Sequence, residues 1–331
     1  KDGGFVPGGT THVILDAKTL TVTDQFRSLG GTIRNCSGGV TPWNTWLTCE
    51  ESTTGPGREF GEGLVKNHGW VFEVPANARG LVAPEPLYAL GRFNHEAACV
   101  DPETGLVYMT EDRDDSVLYR FIPKQAGQLA MGGRLQAMQV VNAPDLRNWS
   151  ATSLRPSGVS AVNWLDLDDV ESPNDDLRHR ARAKGASLIA RGEGIHMAQG
   201  EAYICSTSGG AARLGQILRL HLSDTGEHDR LELFFESVST RQFNFGDNLT
   251  VAPNGHLVVC EDQYTEKVDN FLRGITPEGH AYPLARLRLQ TELAGACFSP
   301  DGTTLFVNVY APTKTLAITG PWDRFINTVN A

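Results

Sequence analysis

Five segments of this 331-residue chain repeat one pattern: a small or acidic residue, a few small residues, an apolar residue, a Pro/Gly turn and an apolar run. They read CSGGVTPWNTWLTCE from Cys36, EAACVDPETGLVYMTE from Glu96, EGIHMAQGEAYICST from Glu193, DNLTVAPNGHLVVCE from Asp247 and AGACFSPDGTTLFVN from Ala294. Each predicts a strand, a tight turn at Thr-Gly, Asn-Gly or Asp-Gly, and a second strand. A third strand follows several of them: GWVFEVP, SVLYRFIP, GQILRLHL and LAITGPW. Repeated units of this kind, about 40–50 residues long, are the sequence signature of a β-propeller. The starts lie 60, 97, 54 and 47 residues apart, so six blades are expected and five also fit.

The long gap carries LDLDDVESPNDDLRHRARAKG, which reads as a solvated helix or loop between blades. An insertion is expected over about 125–188, with its charged part around 166–184. The segment THVILDAKTLTVTDQFRSL predicts two strands that complete the last blade and close the ring, removing sheet edges. No linker or low-complexity stretch interrupts the chain, so one all-β propeller domain is expected over 1–331. Glycine, at 35 residues, and proline, at 17, are abundant, in keeping with many turns and few long helices. No run of about 18 apolar residues is present. The formal charge of −10 argues against nucleic acid or an anionic membrane as main partner.

Stacking the repeats aligns chemistry. The start column reads Cys36, Glu96, Glu193, Asp247 and Ala294, and the second strands end at Glu50, Glu111, Thr207, Glu261 and Asn308. Glu51, Asp112 and Asp262 follow directly. The innermost strand of every blade faces the propeller axis, so each column predicts a ring of ligands around it. Crowded carboxylates repel and raise one another's pKa values unless cations neutralise them. The reading is a multi-metal site: carboxylate oxygens suit Ca²⁺ or Mg²⁺, and a thiolate at Cys36 suits a transition metal. Taken singly, each acid reads as readily as a solvated turn residue.

The other cysteines differ. Cys99 and Cys297 share one apolar column, Cys49 and Cys260 another, and these with Cys205 read as small packing residues. Arg191, two residues before Glu193, could hold an anion bidentately or pair with a carboxylate. Arg34 and Asn35 stand just before Cys36 in a similar position. Arg113 is expected to pair with its acidic neighbours, and His95 to serve packing or outer support. HExxH, GxSxG, Walker A and an ordered GxGxxG are all absent, which counts against a His-based metal site, an α/β-hydrolase, a P-loop enzyme and a Rossmann domain.

The run Arg34-Asn-Cys-Ser-Gly-Gly-Val-Thr-Pro-Trp-Asn-Thr-Trp-Leu-Thr-Cys-Glu-Glu51 resembles the signature of the PhoX-type alkaline phosphatases. Phe93-Asn-His-Glu-Ala-Ala, Tyr108-Met-Thr-Glu-Asp-Arg113, Arg191-Gly-Glu-Gly194, Asp247-Asn-Leu, Cys260-Glu-Asp-Gln-Tyr264 and Phe298-Ser-Pro-Asp-Gly302 are similar to further family motifs. The resemblance runs from about Gly30 to about Trp322 and implies a six-bladed propeller phosphatase with two ferric ions bridged to calcium ions. It implies Cys36 as the thiolate on iron, with Glu96 and Glu193 as its carboxylates. Around calcium it implies Glu50 or Glu51, of which the repeat column favours Glu50, with Glu111, Glu261 and Asp262; Asp247 joins the metal candidates through its place in the start column. Arg191 is implied as the phosphate binder, with Arg34 and Asn35 as further candidates. The family's Arg-Pro-Glu-Gly is Arg191-Gly192-Glu193-Gly194 here, and the chain is short for such an enzyme.

The expected activity is metal-dependent hydrolysis of small phosphate monoesters by a monomer exported to the periplasm or cell surface. Two alternatives stand beside it: a calcium-dependent lactonase or arylesterase-like propeller, and a non-catalytic propeller stapled by metals. Cys36 discriminates, since an axial thiolate has no use in a lactonase.

Overall fold

The computed structural model describes residues 6–223, 228–263 and 270–322. The predicted strands all form. β1 (Gly8–Leu15) and β2 (Val22–Thr32) pair as an antiparallel hairpin. β3 (Asn35–Val40), β4 (Thr45–Glu50) and β5 (Val71–Pro75) make a first meander. β6 (His95–Val100), β7 (Val107–Glu111), β8 (Tyr119–Pro123) and β9 (Gly133–Val140) make a second.

After β10 (Val159–Asp166) and α1 (Leu177–Ala183) come β11 (Gly192–Ala198), β12 (Glu201–Ser206), β13 (Gln216–His221) and β14 (Arg230–Glu236). The next meander is β15 (Gly246–Val251), β16 (Leu257–Glu261), β17 (Phe271–Ile275) and β18 (Ala281–Arg286). β19 (Leu293–Phe298), β20 (Thr304–Val309) and β21 (Lys314–Thr319) complete the series.

Two expectations change. β1 and β2 pair only with each other, so among the described residues the N-terminal strands do not complete the last blade. Within 125–188, β9 extends the second meander and β10 continues the pairing, so two strands of that stretch belong to the sheet. Its charged part is not fully solvated either. In α1, Leu177 and Ala181, four residues apart on one face, are buried in the core, while Arg180 and Arg182 stand in the last turn, where cations suit the helix dipole.

The chain divides into two compact units, residues 1–144 with 162–188, and 145–161 with 189–331. In the first, Leu47, Cys49, Val71, Ala98, Val107, Met109, Tyr119 and Phe121 are fully or almost fully buried together. In the second, one cluster forms around Phe235, Phe243, Val259 and Ile275 and another around Leu272, Leu293, Leu305 and Val307. These residues alternate along their strands with polar neighbours or lie in runs buried on both faces. Full burial of each large side chain contributes about 1.5–3 kcal/mol.

Neighbouring inner strands approach where glycine permits. A Cβ on Gly39 would lie 1.8 Å from the Ala98 carbonyl oxygen, bringing β3 against β6. A Cβ on Gly194 would lie 2.6 Å from the Asp247 carbonyl oxygen, bringing β11 against β15.

Candidate metal centres

Each of the five hairpins has a register shift at one place. The pairs before it are Asn35↔Glu50, His95↔Glu111, Gly192↔Ser206, Gly246↔Glu261 and Ala294↔Asn308. The pairs after it are Gly38↔Thr48, Ala98↔Met109, Ile195↔Ile204, Leu249↔Val259 and Cys297↔Phe306. Two residues of the inner strand therefore oppose one of its partner, as in a β-bulge, which re-aims side chains. The first bulged residue is Cys36, Glu96, Glu193, Asp247 or Gly295.

This register corrects three alignments. Gly295, with φ of 61°, takes the fifth place instead of Ala294. Ser206 takes the place assigned to Thr207, which instead matches Glu51, Asp112 and Asp262: the amides of these four donate to the carbonyls of Arg191, Arg34, Asn94 and Phe245 respectively. Cys297 aligns with Ala98 and not with Cys99, whereas Cys49, Cys205 and Cys260 all lie opposite a bulge and are fully buried.

The residue two before the bulge is left-handed in three hairpins: Arg34 has φ of 43°, Arg191 of 51° and Phe245 of 53°. Such conformations are costly for non-glycine residues and persist where surrounding structure imposes them, often at functional sites.

In the first unit, Cys36, Glu51 and Glu96 bring one ligand atom each within 4.8 Å of one another. The Cys36 thiol donates to Glu96 Oε1 at 3.0 Å. Cys36 is exposed and Glu96 buried. Arg34 Nη2 lies 3.0 Å from Glu51 Oε2. Burial nevertheless raises the Glu51 pKa, a shift opposed by Arg34 and reinforced by Asp112.

In the second unit, Glu193, Asp247 and Asp262 converge in the same way, within 4.8 Å. Arg191 makes an ion pair with Glu193. The Oδ1 atom of Asp262 is buried and makes no hydrogen bond among the described residues. Both donor sets fit a cation. Three acidic side chains at this spacing repel when ionised, and a buried carboxylate oxygen without a donor is stabilised by a positive charge. The first set, with its thiol, suits a transition metal; the second, all carboxylate, suits a hard cation.

Glu50, Glu111 and Glu261 are placed differently. All three are fully buried, and they brace the backbone. Glu50 Oε1 accepts from Ile33 N at 2.9 Å and contacts His68 Nδ1 at 2.8 Å, while Oε2 accepts from Gly69 N at 2.8 Å and Trp70 N at 3.1 Å. Glu261 accepts from Asn244 N at 2.9 Å, Phe271 N at 3.0 Å and Arg273 Nε at 2.6 Å. The two acids thus join equivalent positions: the stretch before the bulged strand, and the head of the third strand. Burial raises the Glu261 pKa to about 7 despite Arg273. Glu111 accepts from Tyr119 Oη at 2.9 Å and lies 3.5 Å from Arg178 of α1; burial raises its pKa to about 8.

The bracing partners His68, Tyr119, Arg178 and Arg273 had no sequence signal, because they arrive from loops and third strands that differ between repeats. Asn35 is engaged by Thr32 and Thr48, and Arg113 reaches Asp175 at 3.8 Å while its charge also acts on Glu111, two residues before it. His95 Nε2 donates to the Gly91 carbonyl at 3.0 Å and its ring stacks on Phe93 at 3.5 Å. Burial lowers the His95 pKa to about 3, so the ring is neutral and serves packing. Tyr264 of the Cys260–Tyr264 motif lies outside the described residues.

The chain matches the family model of alkaline phosphatase PhoX over residues 11–313. Its structure is similar to Pseudomonas fluorescens PhoX in complex with vanadate, a transition-state analogue, with a TM-score of 0.64 and 20% identity over 92% of this chain and 69% of that one. It is also similar, with a TM-score of 0.44 and 10% identity over 93% and 89% of the two chains, to Kuenenia stuttgartiensis hydrazine synthase, a level that carries no argument. No curated protein sequence matches. The fold is the β-propeller of PhoX, and with more than nine-tenths of its length described by that one model, the chain belongs to the PhoX alkaline phosphatase family.

Proposed function

We propose that the chain hydrolyses phosphate monoesters with iron and calcium held by its bulged strands. The observation that carries this is the Cys36 thiol 3.0 Å from the Glu96 carboxylate, with Glu51 beside them. Cys36, Glu51 and Glu96 would hold iron, and Glu193, Asp247 and Asp262 a calcium ion. This reading takes Glu51 over Glu50 as ligand, because four contacts already occupy the Glu50 oxygens. Glu111 and Glu261 then act as braces. When bound, the metals supply Lewis-acid stabilisation of the phosphoryl oxygens and lower the pKa of water.

Arg191 holds a non-bridging phosphate oxygen through its planar fork, giving up its ion pair with Glu193 to do so. Its left-handed backbone fixes where that fork starts. No paired serine or thiol–histidine nucleophile is present among the described site residues, so the chain's role is to bind and orient. The vanadate complex of the P. fluorescens relative supports phosphoryl transfer as the reaction class. Six blades, a monomeric state and export to the periplasm or cell surface complete the reading.

The test is elemental analysis for iron and calcium together with hydrolysis of p-nitrophenyl phosphate. Cys36→Ser and Glu193→Gln should each lower kcat/KM by about 100-fold or more with the fold intact. Full activity in both variants, or no turnover by metal-loaded wild type on any phosphate ester, overturns it.

A further inference from the structure

Glu51 and Glu96 belong to different meanders, and no strand ladder joins the segments that carry them. Asn94 hydrogen-bonds the Glu51 carboxylate directly, and a second link between those segments, made to the backbone, runs through Arg92. This side chain is fully buried, and its fork donates to backbone carbonyls: Nε to His68 O at 2.7 Å, Nη2 to Thr53 O, and Nη1 to Ser172 O at 3.0 Å and Pro173 O at 3.4 Å. Its own amide donates to Val170 O at 2.8 Å.

Each acceptor has a consequence. Thr53 stands two residues after Glu51. His68 supplies the ring that contacts Glu50, and Glu50 in turn holds Ile33 N, just before Arg34 and Cys36. Arg92 itself stands four residues before Glu96. One guanidinium therefore ties the Glu96 segment to both ends of the 51–68 loop. Ser172 and Pro173 lie in the charged 166–184 stretch, so that stretch is a third support. Arg58, on the 51–68 loop, also donates to Pro173 O.

A buried guanidinium is expensive to desolvate and is retained where its rigid fork does what an ammonium cannot. We infer that Arg92 is the positioning residue of the thiolate centre: it sets the separation of Glu51 and Glu96, and the 166–184 stretch serves that centre through it. This rests on the reading of Cys36, Glu51 and Glu96 as a metal set, but it requires no phosphatase activity.

The experiment measures iron retained per chain during graded chelation, and the rise in Tm that added iron produces. Wild type, Arg92→Lys and Glu193→Gln are compared as purified full chains. Arg92→Lys keeps the charge and loses the fork. Its iron affinity should fall about tenfold or more, the loss expected for an outer-shell partner, and the iron-induced rise in Tm should shrink. A purely structural role would lower Tm equally with and without iron and leave retention unchanged; that result overturns the inference. Should Arg92→Lys fail to fold, Arg58→Ala removes the loop's other tie to Pro173 at an exposed side chain. A fall in iron retention there of about threefold supports the inference, and unchanged retention overturns it. Wild type that binds no metal would instead sink the metal-centre reading itself.

Discussion

Cys36 and Glu193 occupy the same place in their hairpins: each is the first residue of the bulge, and each follows by two an arginine with a left-handed backbone. This arginine-led bulge thus occurs twice, with a thiol in one unit and a carboxylate in the other. Cys36 gathers Glu51 and Glu96; Glu193 gathers Asp247 and Asp262. The difference in donor chemistry predicts that the two centres prefer different cations.

The adjacent acids Glu50 and Glu51 should separate cleanly by substitution. Glu50→Gln disrupts a buried carboxylate with four contacts and should cost about 2–3 kcal/mol of stability, read as a shift in denaturation midpoint. Glu51→Gln should leave the metal-free midpoint within about 0.5 kcal/mol of wild type while weakening iron binding. The reverse pattern would assign the ligand to Glu50.

The cysteines should divide in the same way. Cys36 is exposed, so Cys36→Ser should change metal-free stability little, about 0.5 kcal/mol at most, while abolishing any thiolate-to-metal absorption. Cys49 is fully buried, and Cys49→Ser places a hydroxyl in the core at a cost of about 1–3 kcal/mol, with the absorption retained.

Glu111 gives the metal-free protein a pH dependence of definite sign. Its folded pKa, about 8, is raised by burial above the ordinary glutamate value of 4.5. The native state therefore holds a proton that the unfolded chain releases first. The stabilisation from this group is complete below pH 4.5 and is lost as pH rises through about 8. Glu111→Gln should flatten the stability profile across that window; an unchanged profile would show that Arg178 keeps the carboxylate ionised throughout.

Gly194→Ala should be costly, because the new methyl meets the Asp247 carbonyl oxygen at 2.6 Å. A loss of about 1–3 kcal/mol is expected, with weaker binding of calcium by the second unit. Gly80→Ala, where no atom lies within 4 Å, is the control and should be near neutral. Equal effects at the two positions would remove the steric account.

The hairpins were legible because turn chemistry and alternation are local. Asp301-Gly302, Asn254-Gly255 and Thr104-Gly105 each put glycine at a positive φ, as the turns require. The carboxylate set was legible through the repeat. Register was not. One extra residue in a bulged strand moves a side chain to the other face, so stacking by sequence misplaced Ala294 for Gly295 and Thr207 for Ser206. The division between ligands and braces was also hidden. Glu50 and Glu51 are the same residue type, and what distinguishes them is His68, Gly69 and Trp70, brought back to Glu50 by the 51–68 loop.

Gly194 sits between Glu193 and a strand it could not approach with any side chain of its own. The distance from Glu193 to Asp247 is thereby dimensioned by an atom that is missing. On the metal reading, the size of cation these carboxylates would accept is written in a residue that would never touch it, and a change of metal preference would begin at a position that carries no donor.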